Sequence, residues 1–539
     1  VPICTVADAR FEAQFRQVQI PLAGGAGANA IKTIKTKTLG AQCVPVYIRV
    51  SSEALEEITM VRERLPRILG LFSVLLTALV LARVGAVAQT PATAAGDVTF
   101  TRDIAPILQR SCQDCHHADG GAPMPLVTYE DVRPWAKAMK TRTALRSQRG
   151  AMPPFFVERN IGIQKFKHDP SLSEEEIAKV AKWVDSGAPR GNPADMPAPR
   201  QFDTTDKWTI GEPDLVLRSK DVTVPAIGPD KWGDFGLVPT GLTQDRYVSA
   251  VEVREVNDIP KDGATRTVGG RYVFHHMTYS SVVEGERAGS GADEGGSSWP
   301  IHEVGRNADI FPPEAGRLLA AHSSLALSAG HLHSNGRETK GHLEFAFKFF
   351  PVGYKPIYKR SNVRLGNGID IDVRPNEASQ ELHAYAVLPE HTKYITFEPH
   401  LHAPGVRMCL EAIWGHNIQT LNCVGYDHNW VKQYVYDDDA APLLPKGTII
   451  HLIGFLDTTA ANKNPADPRN WAGGGRRSIA NMFIDLGYSV SLTEEQFQAE
   501  MAKRRRNMKS RNDYDIGCPL CWAPPTAVPT QTSTPGQGK

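Results

Sequence analysis

Apolar residues recur along this chain in two rhythms. Near the front, Phe100, Ile104, Ile107 and Leu108 fall on one face of a helix. Ser173 with Glu176 forms a capping box that opens a second helix, with Ile177, Val180 and Trp183 on one side. Further on the pattern becomes that of strands: Tyr247–Val253, Tyr272–Tyr279, Leu343–Phe350, Arg407–Trp414 and Thr448–Leu456. Helical spacing returns only at Thr493–Lys509. The expected fold is therefore multidomain: a small all-α domain over 97–190, then a mainly antiparallel β-sandwich over 205–515.

Ahead of both lies a different pattern. Met60 is followed by Arg62, Arg64 and Arg67, an apolar run from Ile68 to Ala82, and Ala86-Val87-Ala88 before Gln89. That order is the order of a secretory signal. The run is short for a membrane span, which needs about 20 apolar residues. We expect 60–88 to be a signal peptide and 1–59 to be mistranslated or disordered upstream sequence. The alternative is a cytoplasmic tail with 68–82 as an anchor. No later run approaches a span, so no stable membrane span is expected after cleavage, and the location is periplasmic or secreted.

Composition sharpens this picture. The chain has 539 residues, with 60 Lys and Arg against 59 Asp and Glu, so nothing argues for nucleic acid. Pro189, Pro193, Pro197 and Pro199 mark a hinge, placed at 191–204. In an oxidising compartment Cys409 can pair with Cys423 across a hairpin, and Cys518 with Cys521 in a small ring. Without a following histidine the second pair is no haem site; it opens a tail segment, 516–539, whose Pro/Thr/Gly composition reads as disordered.

Cys112-Gln113-Asp114-Cys115-His116 is a c-type haem attachment signature. The thiols add to the vinyl groups and the imidazole becomes the proximal iron ligand. Met152, ahead of two prolines, is the expected second axial ligand, and Met124 the next choice. His117 is read as a solvent-side residue. The segment resembles bacterial cytochrome c domains with a later Met-Pro-Pro, and such haem is attached outside the cytoplasm, in keeping with export.

The other histidines come in pairs: His275-His276, His331-x-His333 and His400-x-His402. On a strand an H-x-H places both rings on one side, whereas adjacent histidines share a metal only at a strand end or bulge. Imidazole suits copper, zinc, iron and nickel, and an added thioether favours copper. His342, His383, His391, His416, His428 and His451 stand singly and read as structural. Met408, beside Cys409, reads as packing.

These motifs resemble the type II copper, ascorbate-dependent monooxygenases, the family of peptidylglycine α-hydroxylating monooxygenase and dopamine β-monooxygenase, in its bacterial branch. The resemblance covers about 300 residues, as judged from motif order. It implies two jelly-roll-like subdomains, 205–380 and 381–515. His275-His276-Met277 stands where the family has its H-H-M, and His333 takes the place of the third ligand of the first copper, with His331 able to replace or assist it. His400 and His402 match the H-x-H of the second copper, with Met482 as its thioether and these three as the catalytic group. Asp457 and Asn462–Pro468 resemble a family loop, but Ala480-Asn481 replaces the Asp-Glu that usually precedes the methionine, and Gly454-Phe455-Leu456 the usual polar approach to Asp457.

The implied cofactors are haem c and two copper ions. The implied reaction hydroxylates a C–H bond of an unknown organic substrate with O2, the haem relaying electrons to copper from an external donor, periplasmic or small-molecule. A non-catalytic electron-transfer or copper-binding protein is the alternative. Zinc in the histidine sites, giving a hydrolase, is a third reading, opposed by the methionine and the haem.

Overall fold

The computed structural model describes residues 98–521, apart from 118–121, 123, 203–206, 261–271, 284–297, 304–307, 367–370, 429, 466, 468, 470–472, 475–479 and 508–515. The upstream segment, the expected signal 60–88 and the end of the tail lie outside the described residues. The described chain is mainly antiparallel β-sheet with few helices. Among the described residues no helix is long and apolar enough to cross a membrane.

The first helix starts as a π-turn, Phe100–Ile104, and continues as Ala105–Ser111. Phe100, Ile104, Ile107 and Leu108, the four positions marked by spacing, are all buried. Ser173 caps the helix Glu174–Asp185 as expected: its hydroxyl accepts the Glu176 N–H at 3.1 Å and the Glu176 carboxylate accepts the Ser173 N–H at 2.8 Å. Such a cap is worth about 1 kcal/mol. The helix buries Ile177, Val180 and Trp183, and Trp183 meets Phe100 at 6.2 Å between ring centroids. Ala136–Ala144 was not legible as a helix because it buries only Ala136 and Thr143 and has no apolar stripe.

The proline-rich run is no free hinge. Met196 packs on the helical core. Gln109 donates to the Ala198 carbonyl at 2.9 Å, Arg200 donates to the Gln109 carbonyl at 2.6 Å, and Arg200 pairs with Asp114 at 2.6 Å. Proline presets an extended backbone whose carbonyls stay free for such contacts.

All five expected strands exist, as Arg246–Asn257, Phe274–Val283, Thr339–Phe349, Gly405–Trp414 and Ile449–Leu456. One sheet runs Leu215–Arg218, Thr339–Phe349, Arg246–Asn257, Ala308–Ile310. A second runs Lys231–Gly233, Ser323–Leu332, Phe274–Val283, His302–Glu303. They close over one core, Val251, Val253, Phe345 and Phe347 from the first against Met277, Tyr279, Leu325 and Leu327 from the second. Side chains two apart along each strand supply these contacts, each burial contributing about 1.5–3 kcal/mol.

The C-terminal part is built on a sheet ordered Gln380–Val387, Ile449–Leu456, Gly405–Trp414, Asn417–Gly425. Cys409 faces Cys423 in register and is disulfide-bonded to it; Cys518 and Cys521 are also joined. Met408 is fully buried in the core, the packing role expected. The helix Glu494–Asn507 fills the last helical stretch.

Residues 155–167, which the sequence groups with the helices, dock on this sheet. Glu158 N–H reaches the Cys423 carbonyl at 2.9 Å, Ile163 N–H the Leu421 carbonyl at 2.7 Å, and Gly425 N–H the Phe156 carbonyl at 2.9 Å. Phe155, Ile163 and Phe166 enter the C-terminal core. Glu158 holds Arg407 through both carboxylate oxygens, at 2.5 and 3.0 Å. Gly162 has a φ of +64°, and a Cβ there would lie 2.1 Å from the Leu421 carbonyl oxygen, so only glycine fits.

Candidate metal centres

The first helix ends at the haem motif. His116 N–H bonds the Cys112 carbonyl at 2.9 Å and Cys115 N–H the same carbonyl at 3.2 Å, so one turn presents all three side chains. Both thiols are free. Burial pushes the Cys112 thiol up to about 12. Burial and then Asp114 raise Cys115, opposed by Lys432. His116 Nδ1 lies 2.9 Å from the Met124 carbonyl. A carbonyl only accepts, so Nδ1 carries the proton and Nε2 keeps its lone pair, the arrangement that orients a histidine for iron. Met152 is 42% exposed and lines a cavity of about 480 Å³ with Phe155, Leu172 and Ile177. His117 stacks on Phe202 at 4.5 Å rather than facing solvent alone.

The first histidine group is set by a strand irregularity. The ladder between Phe274–Val283 and Ser323–Leu332 shifts register between Ser328 and His331. Ala329 there has a φ of 48°, a left-handed conformation that an L-residue holds only when its surroundings impose it. A Cβ at Gly330 would lie 2.3 Å from the Phe235 ring and 2.6 Å from the Met277 methyl. The bulge brings His331 opposite His276, which is how adjacent His275 and His276 come to share a site.

The ligand atoms of His275, His276 and His331 all lie within 4.8 Å of one another. The third imidazole of this tight group is thus His331, where the sequence pattern favoured His333. His333 flanks it, 5.9 Å from His275 and 6.3 Å from His331 between ring centroids, with Nε2 on the Tyr272 carbonyl at 2.9 Å. The reason is the bulge, together with the end of the strand at Leu332, beyond which the side-chain alternation no longer applies. His331 Nε2 meets Asp230 Oδ2 at 2.8 Å, and Trp232 stacks on the ring at 3.8 Å. Its Nδ1 and that of His275 are buried with no hydrogen-bond partner. Burial first, then neighbouring rings, holds His275 and His276 near 3, so both are neutral at neutral pH.

The second group grows from the short strand Pro399–Leu401, paired with Phe483–Asp485. His400 lies opposite Ile484 and Leu401 opposite Phe483, where the pairing ends, and Met482 immediately precedes Phe483 in the chain. His402 Nδ1 donates to the Ala480 carbonyl at 2.9 Å, so the proton is on Nδ1 and the ring lone pair on Nε2. The rings of His400 and His402 stand 5.3 Å apart at 76°. His400 Nδ1 is buried without a partner, and burial followed by His402 and His428 depresses its pKa strongly. Beside His402 stands His428, 6.1 Å away, a residue read from sequence as structural. A lone histidine in a loop carries no spacing that would have marked it.

Other single histidines have ordinary partners. His383 and His451 bond one another at 3.0 Å and His451 bonds Glu411 at 3.0 Å; His391 bonds Glu494 at 2.8 Å.

An unpaired buried polar atom costs about 1–3 kcal/mol. The orphaned nitrogens of His275, His331 and His400 therefore fit metal binding, and neutral imidazoles suit copper. The free thiols and oriented His116 fit covalent haem.

No family model matches the chain, and no curated protein is similar to it. Among solved structures, the N-terminal CBM22-1-CBM22-2 tandem domain from Paenibacillus barcinonensis Xyn10C is similar at 10% identity over 52% of this chain and 98% of that one, with a TM-score of 0.14. The PBSX exported protein XepA is similar at 7% identity over 48% of this chain and 100% of that one, with a TM-score of 0.10.

Proposed function

We propose that this chain is an exported haem–copper redox protein, a copper-dependent monooxygenase that hydroxylates a C–H bond with O2. A small cytochrome c domain carries haem on Cys112, Cys115 and His116, with Met152 as second axial ligand. His275, His276 and His331, assisted by His333, hold one copper; His400, His402 and Met482 hold the other. The observation that carries this reading is the pair of buried histidine groups in which His275 Nδ1, His331 Nδ1 and His400 Nδ1 have no hydrogen-bond partner.

Bound haem would supply one-electron transfer and bound copper would supply oxygen chemistry. The chain's own groups prepare for both. The Met124 and Ala480 carbonyls fix the tautomers of His116 and His402. Asp230 steadies His331 and adds to its basicity, and Trp232 covers one face of that ring. Lys432 influences Cys115 and belongs to the loop that carries His428. This supports an electron path from the haem motif that enters beside His402.

Metal analysis and EPR of the purified full chain test the proposal. Two coppers per haem, with reduced haem reoxidised by O2 in the copper-loaded protein only, is the expected result. Haem with no copper, or one copper with closed coordination, would overturn the oxygenase and leave an electron carrier.

A further inference from the structure

We infer that His428 is a ligand of the second copper centre, so that this centre has three imidazoles, His400, His402 and His428, whether or not Met482 adds its thioether. The inference rests on the copper reading above and departs from the ligand set that the sequence pattern implies.

Three observations converge on it. The ring of His428 stands 6.1 Å from that of His402 at 66°. Its Nδ1 is buried and has no hydrogen-bond partner, the condition shared by His275, His331 and His400. The loop is pinned where the strand meets the paired imidazoles. Tyr426 donates its hydroxyl to the Leu401 carbonyl at 2.6 Å and its N–H to the Val406 carbonyl at 2.9 Å, and Trp430 N–H closes a turn on Asp427 at 2.9 Å.

A third nitrogen alters the chemistry of the site. Two imidazoles with a thioether favour Cu(I); three imidazoles shift the preference toward Cu(II).

The test uses the full chain and copper alone. In His428→Gln, one of two bound coppers should lose affinity at least about tenfold, a typical cost for disturbing a ligand environment, while the other is unchanged. Its Cu(II) EPR should lose one imidazole from the second signal. Two coppers at unchanged affinity with an unchanged spectrum overturn the inference and leave the oxygenase proposal standing; a wild-type chain that binds no copper overturns both. A second measurement does not depend on His428→Gln folding. In His275→Gln/His276→Gln loaded with one copper, pulsed EPR should count three equatorial imidazoles. A count of two, or loss of all copper from that chain, overturns the inference.

Discussion

The buried imidazoles make the metal-free protein acid-sensitive in a calculable way. His275 and His276 are held near 3 and His428 near 4, by burial first. In the unfolded chain each titrates near ~6.5. The native pKa values are depressed, so the stability they confer is complete above about pH 6.5 and is lost as pH falls toward 3–4, because only the unfolded chain takes up the protons. Each ring gives a slope of up to about 1.4 kcal/mol per pH unit, or about 2 kcal/mol between about pH 7 and 5, and three rings give about 5–6 kcal/mol. That is comparable to a whole domain's stability of about 5–15 kcal/mol. The assay is denaturant unfolding of copper-free protein across this range, wild type against His275→Gln/His276→Gln/His428→Gln. The wild type should lose about 5–6 kcal/mol more than the variant. Parallel pH profiles would refute the claim that these rings are buried and neutral.

Further outcomes follow from other features. Asp485 is raised to about 7 by burial, although its Oδ1 accepts the N–H groups of Glu398 and Gly487. Its contribution is present below its unfolded value and is lost as pH rises through about 7, so Asp485→Asn, which keeps the acceptor, should flatten a loss of up to about 1.4 kcal/mol per pH unit in thermal melts. His331→Ala should abolish one copper in a titration, whereas His333→Ala should weaken it about tenfold to a hundredfold, as loss of a supporting group does. Gly162→Ala should lower stability by about 2 kcal/mol or more, through strain and a backbone clash, and expose 155–167 to limited proteolysis. Cys112→Ala should leave haem held by a single thioether, visible as a shifted α-band in the reduced spectrum.

Much of this was legible in the chain. Cys112, Cys115 and His116 sit on one turn because their spacing allows nothing else, and the capping box at Ser173 is a purely local device. The five strands announced themselves by alternation. What escaped has a common cause, which is that it depends on contacts distant in sequence. Choosing His331 over His333 required the bulge at Ala329 and Gly330, whose need arises from Phe235 and Met277. His428 carries no periodic signal; only the pinning of Tyr426 to Leu401 brings it to the paired imidazoles. Residues 155–167 read as a loop between helices because the strand they join lies more than two hundred residues later.

That docked stretch has a practical consequence for anyone dissecting the molecule. A fragment begun at the proline-rich run would leave the Asn417–Gly425 edge with bare amides and carbonyls and would open holes where Phe155, Ile163 and Phe166 belong, the makings of a sticky, aggregating product. The helical portion and the larger β portion are thus grafted through a shared seam, and neither can be inherited, exchanged or engineered as a free-standing cassette.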